Sequence, residues 1–370
     1  MAEYTRREWL QRNIAIAAGA SAASVLPIVK AFGAEGNVAP AASKGNIQLA
    51  LMLSINQPSR LKLARQIGVN HAIVSLNQAL RRSSPDKYVD ALAKLKADYE
   101  AAGITIAGVE SHPVAANQIK LGLPGRDEEI ANYCAALEAM GKVGITMCCY
   151  NFMAGLGWYR TNFEIPARGD AMTSEFDYKD SEKQELTRWG RISEEKVWDN
   201  ITYFLKRVIP VAEKAGVKMA LHPDDPPISP LRGIGRILIN ADAFRRVMDI
   251  VPSPINGITF CQANFKAMGE DIEAVAREFC EQSKVFFVHF RDIEGQGEYF
   301  RETFHDNGPT DMARMLQIYY ESGFDGPIRP DHAPTLEGES EASRGYGMQG
   351  KIFAIGYMKG IIDALNISYQ

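Results

Sequence analysis

The feature that most constrains this chain is a rhythm. From about residue 47 onward, short β-branched runs alternate with helical patterns. Strands are expected over 47–53, 71–75, 104–110, 145–150, 217–222, 257–261, 285–290 and 327–330. Helices are expected over 58–67, 85–102, 127–142, 193–215, 241–250, 271–282, 310–322 and 347–365. Such alternation signals βαβ crossovers and a parallel sheet. The run Ile104-Thr-Ile-Ala-Gly-Val109 is almost wholly apolar, as a strand covered on both faces must be. Gly103, just before it, reads as the cap that ends the preceding helix. Eight such units predict an α/β fold of the (β/α)8 TIM-barrel type, one domain over residues 43–370. An open doubly wound sheet is the alternative. It lacks support, because no G-x-G-x-x-G follows a strand and no G-x-x-x-x-G-K-[ST] occurs.

One stretch breaks the rhythm. Residues 151–192 form a long loop insertion after the fourth strand, rich in glycine, aromatic and charged residues. Loops of that length are usually functional or disordered, and Trp158, Tyr159, Arg160 and Phe163 argue against disorder. At the C-terminal face of a barrel the segment is a candidate lid or a contact between copies, and a homo-oligomer is expected.

The first 42 residues read as a leader. Arg6-Arg7 precede a weakly apolar stretch, Ile14 to Val29, then Lys30 and small residues that a signal peptidase accepts. The pattern resembles a twin-arginine signal, with Trp9 where that motif usually carries Phe. It implies recognition by the twin-arginine export machinery, cleavage and a periplasmic location. No run of about 20 apolar residues follows the first 35 positions, so stable membrane insertion is not expected. With 41 basic against 45 acidic residues, a net charge of −4 and no basic block, nucleic acid is not an expected partner. Five cysteines leave at least one unpaired in an oxidising compartment, and metal ligation is one way to shelter it.

The possible ligands fall at strand ends. His222 ends the fifth strand, Cys261 the sixth and His289 the seventh, and Asp331 follows the eighth. Neighbouring strands lie about 4.8 Å apart, so their tips can converge on one ion through bonds of about 2.0–2.3 Å. Singly, each residue is as readily a packing or hydrogen-bonding group, and Asp224-Asp225 beside prolines are as readily turn formers. Their coincidence on four consecutive strands is what points to a metal site.

The stretches His222-Pro-Asp-Asp-Pro-Pro227, Asn256-Gly-Ile-Thr-Phe-Cys261, Val288-His-Phe-Arg291 and Gly326-Pro-Ile-Arg-Pro-Asp-His332 resemble the mannonate dehydratase family. Val109-Glu-Ser111, Ile119-Lys-Leu-Gly122 and Cys149-Tyr-Asn-Phe-Met153 extend the likeness. The resemblance implies dehydration of a sugar acid, D-mannonate or a related one, to a 2-keto-3-deoxy acid. It implies a divalent metal, Mn2+ expected and Fe2+ or Zn2+ as alternatives, at His222, Cys261, His289 and Asp331. His332 and Tyr346 would move protons, while Arg291, Asn151, Arg160 and His305 would contact substrate. The chain departs from the family pattern at Ala115-Ala116, Ala154–Gly157, Ala263-Asn264 and Ala333-Pro334. These departures alter the substrate shell and keep the metal ligands.

The residue types suit the chemistry. Removing a proton α to a carboxylate builds charge on two oxygens, which a divalent cation offsets. The departing hydroxide leaves well only when protonated, so both an acid and a base are needed. Two readings compete with dehydration. One is a metal-dependent sugar isomerase or epimerase, which begins with the same proton abstraction. The other is a periplasmic binding protein, for which a complete acid–base pair would be superfluous.

Overall fold

The computed structural model describes residues 44–340 and 344–370; the leader expected over residues 1–42 lies outside the described residues. Eight parallel strands close into a barrel: β1 (Asn46–Met52), β2 (His71–Val74), β3 (Thr105–Glu110), β4 (Met147–Asn151), β7 (Lys218–His222), β8 (Asn256–Cys261), β9 (Val285–Phe290) and β12 (Asp325–Pro330). Each pairs with its neighbours in that order, and β12 closes onto β1. All eight expected strands are present, shifted by one or two residues at their ends.

Around the barrel run α1 (Pro58–Gln66), α2 (Tyr88–Ala101), α3 (Arg126–Val143), α4 (Glu194–Ala215), α5 (Ala241–Ile250), α6 (Ile272–Glu281), α7 (Met312–Glu321) and α8 (Met348–Ala364). Local chemistry sets their limits. The Asn240, Asp271 and Asp311 side chains accept the first free N–H groups of α5, α6 and α7. Gly144 and Gly216 end α3 and α4 in the left-handed region. No helix among the described residues is long and apolar enough to cross a membrane.

The core has two layers. An outer layer packs helices on the sheet, with Phe204, Leu205 and Ile209 of α4 among its fully buried members. A small inner cluster fills the barrel: Ala50, Ile73, Met147, Cys149, Ala220, Phe286 and Phe287. Space there is scarce. A Cβ on Gly108 of β3 would come within 2.2 Å of the Met147 side chain, so this position admits no larger residue without repacking.

The long segment after β4 is a correction to the sequence reading. It is not an open loop but carries β5 (Asn162–Pro166), β6 (Met172–Asp177) and a short helix (Tyr178–Glu182). Two further strands, β10 (Ile293–Gln296) and β11 (Tyr299–Glu302), follow β9. Together they form an antiparallel sheet in the order β10-β11-β6-β5. The reason is non-local. Phe176 of β6 and Phe300 of β11 are registered partners and are buried together with Leu231, Ala263 and Ile293. Neither hairpin has a core of its own, so neither shows a clear strand period in the sequence.

Candidate active site

The barrel register delivers the ligands. Asn151 pairs with His222 across β4 and β7, and Cys261 pairs with His289 across β8 and β9. His222, Cys261 and His289 offer one nitrogen or sulfur atom each, all within 4.8 Å of one another. Asp331, one residue past β12, stands beside them: its Oδ2 lies 4.0 Å from Cys261 Sγ and 3.5 Å from His289 Nδ1.

The donor set fits a divalent cation. His222 Nδ1 lies 2.7 Å from the Pro223 carbonyl, an acceptor, so the ring proton belongs there and Nε2 is bare. His289 Nε2 faces the Glu110 carboxylate at 3.4 Å, which places its proton on that side. Two bare nitrogens then confront each other, His222 Nε2 and His289 Nδ1, only 3.1 Å apart. Lone pairs aimed at one point beside a thiol and a carboxylate are the arrangement a metal ion resolves.

Behind this cluster lies a dry layer of charge. Arg291 and Arg160 are buried, and both reach Glu302 Oε1 at 2.6 Å. Both also pair with Asp225. Arg291 Nε stands 2.8 Å from Asp331 Oδ2, and another of its nitrogens donates to Asn264 Oδ1. Arg329 grips Glu110 through two hydrogen bonds of 2.8 and 2.6 Å and also approaches Asp331. Burial pushes the Glu302 carboxyl up, but the charges of Arg291, His332 and Arg160 outweigh it and hold the group well below the usual carboxylate range. Asp225 is depressed the same way, by Arg160 and Arg291.

These placements change three expectations. Arg291 and Arg160 do not line the reaction pocket, because their guanidinium groups are spent on buried carboxylates. His305 is buried too, with Nε2 bonded to the Phe290 carbonyl at 2.8 Å. The three build the floor that the site stands on. The two aspartates of the Pro-Asp-Asp-Pro stretch are likewise not mere turn formers. Asp224 accepts the N–H groups of Ile237 and Leu238 and pairs with Arg236, while Asp225 braces the arginine layer.

The pocket above this floor measures about 230 Å3. Asn151, His222, His289, Asp331, His332 and Tyr346 all face it. His332 is held at both ends: Nδ1 lies 2.9 Å from Glu302 Oε1 and Nε2 lies 2.8 Å from the Tyr346 hydroxyl. Glu302, His332 and Tyr346 therefore form one carboxylate–imidazole–phenol chain. Burial and the nearby Asp331 carboxylate push the Tyr346 phenol well above its ordinary value, so it stays protonated. Trp158 packs on this pair, its ring 4.8 Å from that of His332 and 6.0 Å from that of Tyr346. The segment after β4 thus roofs His332 and Tyr346.

The model of D-mannonate dehydratase matches this chain over residues 53–189 and 173–370. Mannonate dehydratase from Streptococcus agalactiae serotype Ia is 36% identical over 301 residues, which cover 74% of this chain and 86% of the relative. The chain belongs to the mannonate dehydratase family. The Thermotoga petrophila mannonate dehydratase is 34% identical over 313 residues, 75% of this chain and 86% of that one. Among solved structures, mannonate dehydratase from Streptococcus suis serotype 2 superposes with a TM-score of 0.74 at 26% identity, covering 88% of this chain and 96% of the other. A D-psicose 3-epimerase from Clostridium cellulolyticum shares the fold alone, at a TM-score of 0.55 and 13% identity over 86% of this chain and 98% of that one. Family membership makes the enzyme a hydro-lyase by class, and the isomerase alternative reduces to a distant structural kinship.

Four groups of this mannonate dehydratase fold escaped the sequence reading as site residues: Glu110, Lys120, Trp158 and Glu302. Glu110 was within reach, since it ends β3 as His222 ends β7. Among the described residues, Lys120 is the only Lys or Arg facing the reaction pocket, and its amino group makes no ion pair or hydrogen bond with any of them. Burial, with the Arg236 charge, pushes it down to about 8, against opposing contributions from Asp224 and Glu129. It is a cation below that pH and neutral above it. The KM for an anionic sugar acid is therefore expected to rise as pH climbs through about 8. Lys120→Met should raise KM below that point and flatten this limb of the profile; an unchanged profile in the variant would remove Lys120 from substrate binding.

Proposed function

We propose that this protein dehydrates an aldonic acid of the mannonate type to its 2-keto-3-deoxy product, using a divalent ion held by His222, Cys261, His289 and Asp331. The observation that carries the reading is the Glu302–His332–Tyr346 chain opening onto the same pocket as that ligand cluster. When bound, the ion supplies the positive charge that offsets the enediolate formed as the proton leaves C2.

The residues then divide the work. Glu302 accepts from His332 Nδ1, which leaves Nε2 as the basic atom, able to take the C2 proton. Tyr346, kept as a neutral phenol, gives its proton to the C3 hydroxyl, which departs as water. The 2.8 Å contact between them returns the proton from the imidazolium to the phenolate. One proton leaves C2, one reaches the departing oxygen, and the pair is reset. The enol released becomes the 2-keto acid as its O2 hydroxyl loses a proton and C3 gains one. Trp158 covers the pair and limits water around it.

Manganese suits the mixed nitrogen, sulfur and oxygen set if positions stay open for substrate oxygens, whereas the thiolate and the Irving–Williams order favour zinc. Loading in the cytoplasm before export resolves that conflict, and Arg6-Arg7 supports such a route. Replacing both arginines by lysine should retain the protein in the cytoplasm; undiminished delivery to the periplasm would refute the export reading.

The direct test of function is incubation of metal-loaded protein with a panel of aldonic and uronic acids, followed by measurement of 2-keto-3-deoxy product. Product from none of them would defeat the reading. Cys261→Ser should lower bound metal and turnover together while leaving the fold intact. Cys280→Ser, on α6 away from the pocket, should change neither. Full metal occupancy in Cys261→Ser, read by elemental analysis, would show that the thiol is not a ligand.

A further inference from the structure

A second cavity adjoins the reaction pocket. It is an open cleft of about 670 Å3, almost three times the size of the pocket beside it. Ser111 and Lys120 belong to the walls of both, so the two spaces meet at those side chains. Neither His332 nor Tyr346 borders the cleft. It therefore extends from the end of the pocket remote from the acid–base pair.

Two features suggest a built surface. Ser111 holds φ at +77°, a left-handed conformation that costs a residue with a side chain about 1–3 kcal/mol and collects at ligand sites. The bend turns the chain out of β3 and places the small side chains of Ala115 and Ala116 on the cleft wall, which keeps it open. Ser83, His112 and Glu129 on its wall are hydrogen-bonded, but four other polar side chains are uncommitted. The side chains of Asn77, Arg81, Asn117 and Asn132 all face it and none makes a hydrogen bond or ion pair within the protein. Three amides, with Arg81 and Lys120 partly offset by Glu129, offer many hydrogen bonds for little net charge, which suits a neutral polyol.

We propose that this cleft is a second sugar subsite, so that the preferred substrate is an aldonic acid carrying a further glycosyl unit at the end remote from its carboxylate. This rests on the dehydratase reading. With C1 to C3 beside the ligand cluster and Tyr346, the far hydroxyl points toward Lys120 and Ser111; the Lys120 ammonium then attracts the anion across the pocket without touching its carboxylate, and a linked sugar enters the cleft. The altered substrate shell and the retained ligands then have one explanation: the chemistry is unchanged and the substrate is longer.

The test compares D-mannonate with 6-O-β-D-glucosyl-D-mannonate on the manganese-loaded protein. The glucosyl acid is expected to show at least a tenfold higher kcat/KM. Ala115 is exposed, so Ala115→Trp fills the cleft without disturbing the core. It should cut that preference at least tenfold, and Asn132→Ala should reduce it severalfold. A preference for the free acid, or one that Ala115→Trp leaves intact, overturns the subsite. If neither acid is dehydrated, calorimetry separates the two ideas. Tighter binding of the glucosyl acid, abolished in Ala115→Trp, would keep the subsite and discard the dehydratase. Equal binding of the two acids would discard the subsite.

Discussion

Tyr346→Phe should lower kcat by about 10²–10⁴-fold while the metal content and melting temperature stay near those of the parent, because it removes one transferable proton and little volume. The phenol hydrogen-bonds His332 Nε2 at 2.8 Å, and burial keeps it protonated. Its companion, His332→Asn, should be at least as damaging. The two separate in deuterium oxide. Tyr346→Phe retains the imidazole base and should still exchange the C2 hydrogen for solvent deuterium, whereas His332→Asn should not. Exchange persisting in His332→Asn and vanishing in Tyr346→Phe would reverse the assignment of acid and base.

Arg291→Met should unfold the protein more readily, not merely weaken substrate binding. The guanidinium neutralises Glu302 at 2.6 Å, Asp225 at 2.8 Å and Asp331 at 2.8 Å, all with side chains almost completely enclosed. Removing one partner from a buried set of charges typically costs about 3–5 kcal/mol, because the remaining carboxylates have no water to replace it. Arg291→Lys should recover only part of the loss, since a single ammonium cannot reach three directions as a planar fork does. Thermal and denaturant unfolding provide the measurement. A variant as stable as the parent whose only defect is a raised KM would mean that Arg291 binds substrate after all.

The candidate ligand cluster was legible because a single geometric rule finds it. In a barrel, residues at consecutive strand ends are neighbours, so His222, Cys261 and His289 could be associated without knowing any loop. The same rule brings Asn151 and Glu110 to the rim. The roles of Arg160, Arg291 and His305 were not legible, because they depend on loops meeting over long separations. Arg160 finds Asp225 across 65 residues and Glu302 across 142. A guanidinium facing substrate and one buried against carboxylates have the same sequence appearance. Glu302 illustrates the difficulty from the other side: it ends a strand held between its hairpin partner β10 and β6, which comes from a distant part of the chain. The four strands of that antiparallel sheet, unlike the barrel strands, take their order from partners distant in sequence.

That sheet makes two separate stretches of chain into a single mechanical part. One half comes from the segment after β4 and carries Trp158 and Arg160 near its start. The other comes from the segment after β9 and carries Glu302. Their hydrogen-bonded register, Phe176 to Phe300 and Glu175 to Arg301, fixes the roof over the acid–base pair relative to the carboxylate that orients it. Here a one-residue slip of β11 against β6 would turn its inward face outward and misplace Glu302 beneath His332. The two segments are therefore a linked inheritance: a change of specificity grafted from a relative should succeed only when both are transferred together.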